Sequence, residues 1–281
     1  MIPIGVNLTS IGVSSSWWKE SAEEAEAAGF ASVWCWDHFV SRGKKSDPVL
    51  ECWTTLTAAA AHTSRIRVGS FINNVMNRHP AVLARMLATI WDQSGGRVDL
   101  GIGVGGSGPE LGMYGIDMPE PPVRVRILEE AVAVIRLLWS GGPVDYSGEF
   151  FTLSEAWAHP APEPPPRIIV GGEKPGGAKL AARVGDGWTT NAEDYERLLP
   201  IHLEELAARG RSRADLKHLL AVSISRDEPL SSQPLIADMA TFLGEWQERG
   251  ADEIVVSWVR PAELPALLEA AAKAGIGGEI A

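Results

Sequence analysis

Asp37-His38 follows the β-rich run Ser32-Val33-Trp34-Cys35-Trp36 directly. An imidazole with an ordinary pKa of about 6.5 can exchange protons near neutral pH. Asp37 can equally cap a turn, and His38 can be a hydrogen-bonded rim residue. Three further apolar runs end in similar punctuation: Arg67 to Ile72 before Asn73-Asn74, Val98 to Ile102 before Gly103-Val104-Gly105-Gly106, and Arg167 to Val170 before Gly171-Gly172. Together these clusters suit a flat, phosphate-bearing cofactor. Gly101, Gly103, Gly105, Gly106 and Gly108 allow close backbone approach and positive φ. Gly171-Gly172, ahead of a helix containing Lys179, resembles a turn offering amide N–H groups to a phosphate at a helix start. Tight turns without a ligand are the alternative for each glycine segment.

Other chemistries lack their signatures. His38, His62, His79, His159, His202 and His218 are scattered without a paired-histidine spacing, so no metal is expected. Gly106-Ser107-Gly108 is too compact for a nucleophile elbow. Cys35 and Cys52 sit in apolar segments without redox or ligand spacing. Arg42, Lys44, Lys45, Arg78, Lys174 and Arg260 fall on loops at the chemical end, where local positive charge would offset the formal net charge of −11 for an anionic ligand. That net charge disfavours nucleic acid and anionic membrane as partners and leaves small molecules. No apolar run approaches the roughly 18 residues needed to span a bilayer, and Met1 to Leu8 reads as a strand rather than a leader. A cytoplasmic location is expected.

The elements that must hold these residues alternate. Strands are expected at Ile4–Leu8, Ser32–Trp36, Arg67–Ile72, Val98–Ile102, Arg167–Val170, Gly187–Thr190, His218–Ser225 and Glu253–Trp258. Between them, apolar spacings of three and four predict helices over Trp18–Ala28, Val49–His62, Pro80–Gln93, Val123–Trp139, Ala178–Val184, Tyr195–Ala208, Leu235–Arg249 and Ala262–Ala274. Gly29, Gly210, Gly250 and Gly275 are suited to left-handed carboxyl caps. Such alternation over 281 residues, 45% of them hydrophobic, predicts one α/β domain over 1–281, a TIM (β/α)8 barrel with chemistry at the carboxyl ends of its strands. A hairpin and proline-rich insertion at about 141–166, between the fourth helix and fifth strand, is expected to cover one rim.

Trp36-Asp37-His38, Arg78-His79-Pro80, Gly96-Arg97 entering Val98 to Gly105 with Glu110 beyond, the hairpin-and-proline insertion, and Gly171-Gly172 followed by Asp186-Gly187-Trp188 resemble, in that order, the luciferase-like monooxygenase superfamily. The resemblance implies an oxidoreductase using coenzyme F420, a deazaflavin, for hydride transfer with a small organic substrate. The alternatives are an FMN-dependent monooxygenase and a non-catalytic cofactor-binding barrel subunit. It implies His38 and Glu110 as catalytic residues, Glu110 as a proton donor only if burial raises its pKa. The cofactor would be bound by Asp37, Phe71, Ile72, Asn73, Asn74, Gly103, Gly105, Gly106, Gly171, Gly172, Glu173 and Lys174. It also implies a cis Phe71–Ile72 bond, Arg42, Lys44 and Lys45 at an entrance or against a polyglutamate tail, and a homodimer. Relatives oxidising a sugar phosphate carry a tryptophan shortly after the Asp-His pair. Here that stretch reads Phe39-Val40-Ser41-Arg42, which argues against a sugar-phosphate substrate. Trp17, Trp18, Trp53, Trp157, Trp188 and Trp258 supply packing or an apolar pocket.

Overall fold

The computed structural model describes residues 1–277. The chain runs β1 (Ile4–Leu8), α1 (Ser15–Ala27), β2 (Ser32–Cys35), α2 (Cys52–His62), β3 (Arg67–Ser70), the short β4 (Asn73–Asn74), α3 (Pro80–Ser94), β5 (Val98–Gly103), α4 (Gly108–Met113) and α5 (Pro121–Leu138). It continues through β6 (Val144–Ser147), β7 (Thr152–Ala156), β8 (Ile168–Gly171), α6 (Pro175–Val184), β9 (Gly187–Asn191), α7 (Ala192–Ala208), β10 (Lys217–Ser223), α8 (Pro234–Ala237), α9 (Met239–Glu248), β11 (Glu253–Val259) and α10 (Leu264–Lys273). Eight parallel strands form a ring in the order β3-β2-β1-β11-β10-β9-β8-β5, closed by β5 pairing with β3. The expected barrel is the observed one.

Period-two alternation divides each barrel strand between two cores. Outward residues such as Val6, Val68, Leu100, Leu220 and Val256 pack beneath the helices. Inward residues fill the barrel: Trp34, Ile169, Leu219 and Val255 form a small apolar plug, with Phe71 against it. Trp34 fits because Gly69 faces it; a Cβ there would lie 2.4 Å from the indole Cζ3. Below the plug, at the amino ends of the strands, the filling is ionic. Asp99 is fully buried and accepts paired bonds from Arg67, with Nε at 2.7 Å, and Arg167, with Nε at 3.0 Å. Burial pushes the Asp99 carboxyl up, but the two guanidiniums prevail and hold it below the usual range. The floor is therefore sealed by charge pairing and the opposite end is left to form a cleft.

Several boundaries differ from the sequence expectation for local reasons. The strand expected over Arg67–Ile72 ends at Ser70, and the Phe71–Ile72 peptide is cis, as the resemblance implied. The helix expected from Val49 starts at Cys52, where Glu51 caps it by accepting from Thr54 N at 2.7 Å. The helix expected over Leu235–Arg249 is two, because Asp238 leaves helical geometry to accept from Thr241 N at 3.1 Å. Helix α4 lies outside the helices expected from apolar spacing, and Glu110 is in its first turn. Gly29, Gly210, Gly250 and Gly275 all have positive φ, as expected, and Gly95 after α3 does so too.

The insertion is an antiparallel hairpin, β6 with β7, as expected. It lies along the outside of α3 and α5. The Glu130 carboxylate of α5 accepts from the amides of Glu149, Phe150 and Phe151, Arg126 pairs with Glu149, and Phe151 meets the His79 ring edge-on at 5.2 Å. These long-range partners outweigh the loop's own proline and glycine signals. No helix among the described residues is long and apolar enough to cross a membrane.

Candidate functional site

The carboxyl ends of the strands enclose a cleft of about 140 Å³ lined by Asn7 of β1, Phe71 and Ile72, Gly171-Gly172-Glu173 after β8, Thr189 to Asn191 of β9, Ala221 of β10, and Ser257-Trp258 of β11. Of the residues named from the resemblance, Phe71, Ile72, Gly171, Gly172 and Glu173 line this cleft, and His38 and Glu110 do not. Asn7, Thr189, Ala221 and Ser257 were missed. Their signal was available: each occupies the inward phase near the carboxyl end of its strand, where a polar or small residue is conspicuous. Thr189 is 5% exposed and its Oγ1 has no hydrogen-bond partner. An unpaired buried hydroxyl in a cleft wall marks a place for a ligand atom.

The two glycine turns leave the same end of the barrel side by side, since β5 pairs with β8 in parallel register, Ile102 opposite Val170. The individual glycines serve ends different from those expected. A Cβ at Gly103 or Gly171 would lie 2.4 or 2.2 Å from Ile72 Cδ1, and one at Gly101 only 2.0 Å from Ser70 O. Gly105, at φ +76°, sits against the Asn74 amide, and a Cβ at Gly172 would lie 2.4 Å from Gly177 Cα. The Gly172 amide, expected to be open, donates to Thr189 O at 2.9 Å. Close packing of the chain on itself requires glycine at these positions. Gly106 and Gly176 are different: a Cβ at either would meet nothing within 4 Å, so the outer parts of both turns face open space. Buried Arg124 fixes the first turn by donating to the Val104 and Gly105 carbonyls. Lys174 is exposed at the start of the second.

Asp37, Asn73 and Asn74 stand behind the cleft wall. Asp37, 3% exposed, accepts from Arg78 through both carboxylate oxygens, at 2.8 and 2.9 Å, from Asn74 N at 3.1 Å and from Asn77 Nδ2 at 3.0 Å. Asn73 Oδ1 accepts from Trp53 Nε1 and Arg78. Arg78, expected among the cations available to an anion, is instead committed to Asp37 and Glu51. This network holds the bend at Phe71–Asn74 in place.

His38 and Glu110, 72 residues apart in sequence, meet with Nδ1 and Oε2 separated by 2.6 Å. The other Glu110 oxygen accepts from the amides of Phe39 and Val40. Burial would raise the Glu110 carboxyl, but the His38 ring and those amides outweigh it and hold it below the usual range. The condition for Glu110 to donate a proton is not met. A carboxylate there accepts from Nδ1–H and leaves Nε2 as the basic atom of the ring.

The sequence profile of a family described as luciferase-like monooxygenase matches residues 13–234. The chain is 35% identical over 213 residues to an F420-dependent glucose-6-phosphate dehydrogenase of Kineococcus radiotolerans, covering 74% of this chain and 63% of that protein. It is 34% identical over 200 residues to an F420-dependent hydroxymycolic acid dehydrogenase of Mycobacterium tuberculosis, covering 69% and 55%. The chain thus spans about three fifths of the length of the curated relatives it matches. Among solved structures, an F420-dependent secondary alcohol dehydrogenase in complex with an F420-acetone adduct superimposes with a TM-score of 0.84 at 24% identity, over 97% of this chain and 99% of that one. From the matched profile and these relatives, the chain belongs to the luciferase-like monooxygenase family.

Proposed function

We propose that this chain is a coenzyme F420-dependent oxidoreductase acting on a small organic substrate. The observation that carries the reading is the His38–Glu110 pair at the carboxyl rim of the barrel, in a chain about one third identical to F420-dependent dehydrogenases. The residues present suit the coenzyme. Thr189 Oγ1 offers an unpaired polar atom in the cleft wall, Phe71 and Ile72 offer an apolar surface, and the turns at Gly106 and Gly176 leave room for a phosphate beside the start of α6. When bound, the deazaflavin supplies hydride transfer.

The protein's own part is proton handling and positioning. Glu110 fixes the ring of His38, and His38 Nε2 takes the hydroxyl proton of an alcohol or returns it in the reverse direction. Arg78 and Asp37 keep the Phe71–Asn74 bend in place behind the cleft. Lys174 and the Glu173 backbone stand at the second turn. The family resemblance adds a homodimer in the cytoplasm, which sedimentation and fractionation would test.

The deciding experiment is titration of the purified protein with F420 and with FMN, followed by anaerobic assay of F420 reduction with simple secondary alcohols. Micromolar F420 affinity with turnover is expected. Stoichiometric FMN binding without F420 binding would replace the reading with an FMN-dependent one, and tight F420 binding with no hydride transfer to or from any substrate would leave a non-catalytic binding subunit.

A further inference from the structure

Around the ring, β1 lies four strand steps from β8 in both directions, so the segments flanking β1 face the glycine turns across the mouth. There Trp36, which follows β2, is pinned by Nε1 donating to Ser10 Oγ at 2.6 Å. Its ring meets that of His38 at 4.0 Å between centroids and that of Trp258, edge-on, at 4.1 Å. Trp258 lines the cleft and holds φ at +61°, a conformation rare for a bulky residue. Above both indoles lies the Arg42 guanidinium, 5.5 Å from the Trp36 centroid and 5.6 Å from Trp258. Among the described residues it has no carboxylate partner, whereas Arg260 is tied to Glu263 and Arg78 to Asp37 and Glu51.

We propose that Arg42 is a specificity-determining residue that receives the carboxylate of a substrate whose apolar body rests against Trp258, with buried Trp36 behind it, next to His38. Stacking on two indoles restricts the guanidinium while leaving its N–H groups outward, an arrangement that suits bidentate binding of a planar carboxylate. A sugar phosphate fits less well, because it brings no apolar body to rest on the indole. The position across the mouth from Gly106 and Gly176 separates this anion from the coenzyme's own phosphate. The identity of the reaction rests on the oxidoreductase reading; the binding preference does not.

The test is calorimetric titration of the full chain, with and without F420, using trans-cinnamate, trans-cinnamamide and glucose-6-phosphate. Cinnamate should bind about tenfold or more tightly than the amide, as a charge-assisted pair predicts. Arg42→Gln should abolish that preference and Arg42→Lys should keep part of it, both read in the coenzyme-free arm. Equal binding of acid and amide, binding of neither, a preference surviving in Arg42→Gln, or tighter binding of glucose-6-phosphate would each overturn the proposal. Loss of F420 binding in the parent chain would instead overturn the oxidoreductase reading, since the coenzyme-free arm still reports on Arg42.

Discussion

His38 and Glu110 divide their labour by environment. The carboxylate accepts three hydrogen bonds and lies below its usual pKa range, so it orients and the imidazole exchanges protons. His38→Ala should lower kcat by about 10²-fold or more, the usual scale of general acid–base catalysis, with F420 affinity unchanged. Glu110→Gln keeps a hydrogen-bond acceptor but loses the charge. It should cost less than His38→Ala in kcat and leave KM unchanged, because the amide oxygen can still accept from Nδ1–H and hold the ring. An unmoved kcat would show that Glu110 acts only on local packing.

Among the elements, β3 and β5 approach closely at their seam. Ser70 Oγ donates to Gly101 O at 2.7 Å, and backbone atoms occupy the space that a side chain at 101 would need. Gly101→Ala should destabilise by about 1–3 kcal/mol, the typical cost of overpacking, and widen the Phe71 bend. Gly106→Ala is the counterpart at the end of the same strand. Its Cβ would enter open space, so stability should hold while F420 affinity falls if the turn serves the phosphate. Thermal unfolding and F420 titration of the two variants separate the packing glycine from the ligand-facing one.

The whole molecule concentrates order at the floor and beneath β9 and β10, and leaves the mouth open. Behind β9, His202 stacks on Trp188 at 4.4 Å, and His218 Nδ1 bonds Tyr195 Oη at 2.8 Å. Burial, with Arg213 and His202 adding to it, pushes the His218 imidazole down to about 2, and burial lowers His202 too. His218 stays neutral in the fold, while the unfolded chain protonates it below about pH 6.5. Its contribution is complete above that pH and is lost as pH falls, at up to about 1.4 kcal/mol per unit. Denaturant midpoints should drop from pH 7 to pH 5, and His218→Gln should flatten that slope.

The barrel was legible in the chain because strand and helix periodicities are local, as at Ile4–Leu8 and Pro80–Ser94, and because glycine at a helix end answers a local backbone demand. The Asp37-His38 pair and both glycine turns were visible for the same reason. Tertiary structure alone decided the rest. It tied Arg78 to Asp37, brought Glu110 to His38, gave Gly103 and Gly171 to Ile72, laid the hairpin along α3 and α5, and set Arg42 over Trp36 and Trp258. All but the Arg42–Trp36 contact join segments well apart in sequence, and such pairings exist only once the ring of strands has closed.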